Sequence, residues 1–480
     1  VAEYHVENFG CRASQADGAA ISAGLQQRGL SATDDIGAAD VLVLNTCSVT
    51  AEADRVARAY VRKARRANPG VRVLVTGCYA QRAPEEVAAL PGVDRVVGNS
   101  HKAMVAEIAA MMVEGSASAD VARRPNPGFF PLSGLQSSAR VLVDDSFAHA
   151  ELAFFRPNGS PEAVQDHLTR PNLKVQDGCG NRCSFCVIPQ TRGGSRSVAL
   201  EKVLAGVRAF VEGGGQEMVL SGINLGRWGR DLAVPQRFED LVEAILVETK
   251  LPRLRISSVE PMDWSDRLLE MYRAFATGVH PRLARHAHLP LQSGSDAVLR
   301  AMYRRYRPWH YAAKVEVIRE AIPDAAIGAD VMVGFPGETD TLFEETYRFI
   351  EQQPFTYLHL FPFSARPGTP AWMLHQQKPV AGEAVRERMA RLRALIDAKH
   401  RRYCQGFVGR PLSVVTLQSD NGARAISDNF LTAELEEAVP ANRLLTVLIA
   451  GLTQSGLYGT WLGAASHSSQ CSRDESGTRR

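Results

Sequence analysis

The chain has 480 residues, 45% apolar and 22% charged, which excludes collagen-like and wholly disordered classes and leaves room for two to four domains of roughly 100 to 200 residues each. Its 55 basic residues against 52 acidic ones give a formal charge of +3, so any nucleic-acid binding must come from local patches rather than an overall field. VAEYHVENFGCR carries no basic segment followed by an apolar run, and no stretch approaches the roughly 20 apolar residues of a bilayer helix; the expectation is a cytoplasmic protein with no membrane partner.

In chain order, EYHVENF is followed by a helix over about residues 14 to 29, VLVLN by a helix over about 51 to 67, and VRVLVTG by a helix near 84 to 89, before DRVVGN. This alternation predicts βαβ units and a parallel-sheet α/β domain over residues 1–114. Residues 115–165 are rich in Gly, Pro and Ser without a sustained period, and read as a linker or irregular insertion. From Leu173 the alternation resumes with LKVQ, EMVLSG, LRISS, HAHLPL, GADVMVGF and YLHLFPF. Six such units predict a partial (β/α)6 barrel over 166–403, with chemistry at the carboxyl ends of its strands. A long helix over about 381 to 403 leads to short strands broken by Gly, Asn and Pro, which predict a small all-β barrel over 404–465. The polar stretch 466–480 reads as disordered.

The eight cysteines, at 11, 47, 78, 179, 183, 186, 404 and 471, do not form a disulfide framework; grouped thiols in a reducing compartment bind metal or do catalysis. Cys11, Cys47 and Cys78 each lie just past a predicted strand, where open sheets bind ligands, so three residues distant in sequence can converge. Cys179, Cys183 and Cys186 follow a C-x-x-x-C-x-x-C spacing directly after the first barrel strand. Structural zinc usually takes four protein ligands, whereas three thiolates on a 4Fe-4S cluster leave one iron free for a substrate or cofactor. A zinc site that borrows a fourth ligand is the competing reading.

The loop QDGCGNRCSFC at the opening of a βα barrel resembles the radical S-adenosylmethionine superfamily. That resemblance implies catalytic Cys179, Cys183 and Cys186, a cluster whose unique iron holds the methionine moiety of the cofactor, and a 5′-deoxyadenosyl radical that abstracts hydrogen. NFGCRASQAD, NTCSVTAEADR and VTGCYAQRAPEEV, with LRISSVEP, HLPLQSGSDAVLRAMYRRY, DVMVGFPGET and FPFSARPGTPA, resemble the methylthiotransferase family within it. Membership implies a second 4Fe-4S cluster on Cys11, Cys47 and Cys78, a tRNA anticodon stem-loop as partner, and an electron donor such as flavodoxin or ferredoxin. The last β block resembles the small RNA-binding (TRAM) barrel of these enzymes. The residues after the cysteines, CSVT and GCYAQ, and a late SDNFL, are most similar to the branch acting on N6-threonylcarbamoyladenosine; branches acting on isopentenyladenosine or a ribosomal-protein aspartate are the alternatives. Ser14 and Gly18 depart from the family's usual Asn and acidic residue beside the first cysteine.

The superfamily also implies that a Gly-rich segment, here Gly213, Gly214, Gly215 and Glu217, receives the methionine amino group; an ordinary helix-to-strand turn is the alternative. Ser258 and Glu260 end the third barrel strand and Gly334 to Glu338 the fifth, and both are expected to contact the cofactor. His288 and Gln292 are candidates for the same chamber or for satisfied interior polar groups. Arg192 and Arg196 follow the cluster loop, where they are placed to neutralise cluster or phosphate charge. Arg55, Arg58, Arg62 and Arg65 form a basic helical stripe that either follows RNA phosphates or is a solvated face. Cys404 and Cys471 read as structurally incidental. A sulfur or cluster carrier, or an RNA-binding regulator without turnover, is the competing class of function.

Overall fold

A computed structural model describes residues 1–114, 141–147, 169–419 and 422–463. The amino-terminal sheet contains β1 (Glu3–Asn8), β2 (Ser31–Ala32), β3 (Val41–Thr46), β4 (Arg72–Gly77), β5 (Arg95–Gly98) and β6 (Val141–Leu142), all parallel in the order β2-β1-β3-β4-β5-β6. VLVLNT of β3 is buried at every position, because helices cover both faces of the sheet. Helix α1 (Arg12–Gln26) packs Ile21 and Leu25 on one face, and α2 (Ala51–Ala67) packs Ala57, Val61 and Ala64 on the other. Thr50 caps α2 by accepting from the Ala53 N–H, with Glu52 and Asp54 in the first turn. Within the span read as linker, Val141 and Leu142 add the edge strand β6; residues 115–140, 148–168 and the tail 466–480 lie outside the described residues.

Six parallel strands make the partial barrel: β7 (Asn172–Asp177), β9 (Glu217–Gly222), β10 (Arg253–Ile256), β11 (His286–His288), β12 (Ala326–Val333) and β13 (Tyr357–Pro362), with short β8 (Arg196–Ser197) antiparallel to β7. β10 and β11 are joined by the isolated bridges Leu254–Leu283 and Ser258–His288. Alternation along β7 sends Leu173 and Val175 into the core under the surrounding helices and Lys174 and Gln176 to the opposite face, where α1 lies. Strands β14 (Pro411–Thr416), β15 (Arg424–Ser427), β16 (Thr432–Leu435), β17 (Leu444–Leu452) and β18 (Leu457–Trp461) close into a barrel in the order β14-β15-β16-β18-β17.

This terminal barrel docks on the amino-terminal ends of the central strands, away from the cysteine loop that follows β7. Arg255 donates to the carbonyls of Asp428 (3.0 Å) and Ser427 (2.8 Å), Arg285 pairs with Asp428 (2.6 Å), and Asn442 donates to the Gly214 carbonyl (3.1 Å). The expected cofactor role of Gly214, Gly215 and Glu217 is corrected here. Glu217 opens β9, whereas Cys179 follows the far end of β7; Gly214 and Gly215 form the turn before β9, with Gly214 at φ +85°. Glu217 is fully buried, and its carboxylate is held by Arg170 (2.6 Å), Arg255 (2.7 Å) and Arg253 (3.4 Å).

Burial pushes the Glu217 carboxyl up, but Arg170 and Arg255 outweigh it and hold it well below the usual carboxylate range. Its contribution to stability is therefore complete above an unfolded value of about 4.3 and is lost as pH falls toward the folded value. Glu217→Gln, which strands three buried cations, is expected to lower unfolding free energy by about 3–5 kcal/mol at pH 7. Urea titrations should show the gap to wild type shrinking below about pH 4.

Candidate functional site

Two groups of three cysteines flank the contact between the amino-terminal domain and the barrel, where Asn99 donates to the Thr191 carbonyl at 2.8 Å. Cys179, Cys183 and Cys186 occupy the loop between β7 and the short helix Ile188–Arg192. Gly178, at φ +72°, begins that loop where a Cβ would lie 1.9 Å from the Gly194 carbonyl oxygen, so only glycine fits. Ser184 fastens it, donating from its amide to the Met302 carbonyl (3.1 Å) and from its hydroxyl to the Ala301 carbonyl (2.7 Å). The Cys179 sulfur accepts from the Asn181 amide and Asn224 Nδ2, both at 3.4 Å, and the Cys183 sulfur from Arg304 Nη1 at 3.3 Å. Arg304 also pairs with Glu260. Burial pushes the Cys186 thiol up to about 12 and raises Cys179 as well.

Cys11, Cys47 and Cys78 follow β1, β3 and β4, adjacent parallel strands whose ends bring them together. Gly10 has φ +113°, and a Cβ there would lie 2.7 Å from the Cys47 Cβ. Cys47 accepts from the Val49 amide and Cys78 from Asn99 Nδ2, each at 3.5 Å. Burial, then the neighbouring Cys78, pushes the Cys47 thiol up to about 12. In both triads N–H groups aim at sulfur, the donor arrangement that suits anionic sulfur clusters. The Oδ1 atoms of Asn99 and Asn224 are buried without a protein partner.

Arg192 ties the barrel to the amino-terminal triad. It is 1% exposed; Nη1 reaches both oxygens of Asp177 at 2.9 Å, and Nη2 reaches Asp17 at 3.0 Å and Ser14 Oγ at 3.5 Å. Its charge faces Cys78 and Cys11. Asp17, on α1, also binds Lys102 (2.8 Å) and Lys174, and Lys174 binds Asp177 at 2.9 Å. Two carboxylates against three cations leave one surplus positive charge beside the thiols. Burial pushes the Asp17 carboxyl up, yet Lys102 and Lys174 outweigh it and hold it ionised. A second link runs from Arg366 to Asp54 at 2.7 Å, with Asp54 also held by Arg82 (2.9 Å) and Ser48 (2.9 Å).

Ser258 and Glu260 lie at the carboxyl ends of the barrel strands, on the side of the cysteine loop. Ser258 Oγ is 2.6 Å from His288 Nδ1, and Glu260 is tied to Cys183 through Arg304. Burial pushes His288 down to about 4, so its imidazole is neutral. In the segment Gly334–Glu338, Glu338 pairs with Arg388 of the helix Gly382–Gln405 at 2.7 Å and accepts from the Gly334 amide, which fixes the turn at the end of β12. Arg196 stacks over Phe147 rather than joining the network. In the basic stripe, Arg55, Arg58 and Arg65 pair with Glu52, Glu86 and Asp94, which leaves little of it for phosphates. Gly18 is explained by Asn8, whose Oδ1 would lie 1.8 Å from a Cβ at that position; Ser14 Oγ stands 3.7 Å from the Cys11 sulfur.

Sequence reasoning missed Asp17, Lys102, Asp177, Asn224 and Arg304. Asn224 follows the second barrel strand directly, at the end where barrel chemistry is expected, and was open to detection there. The others act through pairings between residues far apart in sequence or, for Asp177, through a charge cluster, and periodicity encodes neither.

Residues 3–98 match the family model described as uncharacterized protein family UPF0004, and residues 173–350 that of the radical SAM superfamily. The threonylcarbamoyladenosine tRNA methylthiotransferase MtaB of Aquifex aeolicus is 34% identical over 92% of this chain and 99% of its own length. The chain belongs to the radical S-adenosylmethionine methylthiotransferase family. The tRNA-2-methylthio-N(6)-dimethylallyladenosine synthase of Thermobifida fusca is 32% identical over 87% of this chain and 78% of its own length. The radical S-adenosylmethionine methyltransferase TsrM of Kitasatospora setae, solved with tryptophan and a cofactor analogue, superposes with TM-score 0.54 at 16% identity over 77% of this chain and 74% of that one, a likeness of fold. Membership of the methylthiotransferase family brings S-adenosylmethionine and a 4Fe-4S cluster as cofactors. Among the described residues no helix is long and apolar enough to cross a membrane.

Asp17→Asn is expected to cost about 3–5 kcal/mol by leaving buried cations underpaired. Limited proteolysis should then separate the amino-terminal domain from the barrel at protease levels that leave wild type intact.

Proposed function

We propose that this protein attaches a methylthio group to C2 of N6-threonylcarbamoyladenosine at position 37 of tRNA, in the cytoplasm, with a flavodoxin- or ferredoxin-type electron donor. The observation that carries the reading is a cysteine triad on each of two domains that are joined by buried charges, with Arg192 reaching from the cysteine-loop side to Asp17 and facing Cys78 and Cys11. The chemistry the bound groups supply is reductive cleavage of S-adenosylmethionine at the Cys179–Cys183–Cys186 cluster, and sulfur from a second 4Fe-4S cluster on Cys11, Cys47 and Cys78.

The chain's own residues prepare the site. Asn224 and Arg304 donate to the loop sulfurs, which stabilises thiolate against the burial that favours thiol. Arg192 and its surplus charge do the same for the amino-terminal triad. Asp17 fixes α1, and with it Cys11, against β7, so sulfur delivery and radical generation address one substrate. The threonylcarbamoyl branch is supported by the MtaB relatives and by the residues following Cys47 and Cys78; the terminal barrel, like the RNA-binding barrel it resembles, is assigned to the stem-loop.

Nucleoside mass spectrometry of tRNA from cells lacking this protein is expected to show loss of the methylthio group from threonylcarbamoyladenosine alone; loss from isopentenyladenosine instead would assign the other branch. In anaerobic turnover, a variant with Cys11, Cys47 and Cys78 all changed to Ala should still produce 5′-deoxyadenosine yet form no methylthio product. Product at wild-type yield would remove the amino-terminal thiols from sulfur handling.

A further inference from the structure

Arg12, at the edge of the barrel, is a cation without a hydrogen bond or ion pair among the described residues. Arg12 directly follows Cys11, opens α1, and is only partly buried. Its guanidinium lies 5.9 Å from the ring centroid of Phe430, a residue of the terminal barrel, and faces Tyr357 of β13 and Asp330 of β12. Phe430 in turn packs on Tyr357 (5.1 Å) and His286 (4.6 Å). Three parts of the chain therefore converge at Arg12, beneath the amino-terminal thiols.

The surrounding carboxylates are already paired. Glu217 is held by Arg170, Arg253 and Arg255, Asp428 by Arg285, and Asp17 by Lys102, Lys174 and Arg192. Asp330 accepts from His359 Nδ1 at 3.1 Å. Arg12 has neither a hydrogen bond nor an ion pair to any described residue. A guanidinium stays charged and brings donors in a fixed fork, and a partly buried one with no acceptor in the protein is free to take an anion that enters from solvent.

The proposed substrate carries such an anion. Its threonyl carboxylate is carried on N6 through the carbamoyl group, and C6, which bears N6, and C2 flank the same ring nitrogen, N1. A base held with C2 toward the triad that includes Cys11 thus places its N6 substituent within reach of the next residue along. We propose that Arg12 is the receptor for this carboxylate, with Tyr357 and Phe430 forming the aromatic wall of the pocket, so that it selects the threonylcarbamoyl substrate over an uncharged N6 substituent. The fork of a guanidinium matches a carboxylate with two parallel hydrogen bonds, and an isopentenyl group has nothing to offer it. The inference rests on the threonylcarbamoyladenosine reading given above.

The test is fluorescence anisotropy of labelled anticodon stem-loops on anaerobically reconstituted full-length enzyme. Position 37 carries adenosine, threonylcarbamoyladenosine or its methyl ester. Wild type is expected to bind the free acid about ten- to a hundredfold more tightly than the ester, as for a charge-assisted hydrogen bond. Arg12→Met should bring the acid to the level of the ester without changing affinity for unmodified adenosine, and Arg12→Lys should keep part of the preference. Equal binding of acid and ester by wild type overturns the proposal without any variant, while a preference for both over adenosine would leave the substrate reading standing. Loss of affinity for all three loops alike in Arg12→Met also overturns it, because that marks a structural role. If wild type fails to distinguish threonylcarbamoyladenosine from adenosine, the substrate reading falls and the proposal with it.

Discussion

A buried carboxylate, Asp17, holds the two halves of the site together. It is fully excluded from water and bound by Lys102 from its own domain, Lys174 from β7 and Arg192 from beyond the cysteine loop. Such a cluster is a weak source of net stability, since desolvation offsets much of the attraction, but removing one member is costly. Its effect is geometric. Because Asp17 sits two turns along the helix that Cys11 caps, and Arg192 six residues past Cys186, satisfying these charges sets the distance between the triads.

The central barrel uses its two ends for different purposes. At the carboxyl ends of the strands, side chains donate to sulfur: Asn224, Arg304 and the Asn181 amide. At the amino-terminal ends, Arg253 and Arg255 cross from Glu217 to the terminal barrel. The terminal barrel thereby closes the floor of the chamber with Phe430, while α1 covers its side. The chamber is bounded by segments far apart in sequence, and buried charge pairs join each of them to the barrel.

Much of this was legible in the sequence because it follows from local period and spacing. VLVLN and VRVLVTG declare buried parallel strands, α2 spans the residues its pattern predicts, and the C-x-x-x-C-x-x-C loop lies where barrel chemistry belongs. The cysteines after β1, β3 and β4 converge because parallel strands end on one side. The Gly214–Glu217 segment misled because its glycines signal a turn without signalling which end of a strand the turn serves. Strand direction decides that, and it places Glu217 opposite Cys179. Asp17, Lys102 and Arg12 carry no local mark at all, since their roles depend on contacts with residues far away in sequence.

Iron and labile-sulfide analysis of the anaerobically reconstituted chain tests most directly whether both triads hold clusters. Two four-iron clusters predict about eight irons per chain, with about four remaining when either triad is changed to Ala. About four irons in wild type, unchanged when Cys11, Cys47 and Cys78 are replaced, would contradict the two-cluster account and leave the amino-terminal thiols without the role given to them.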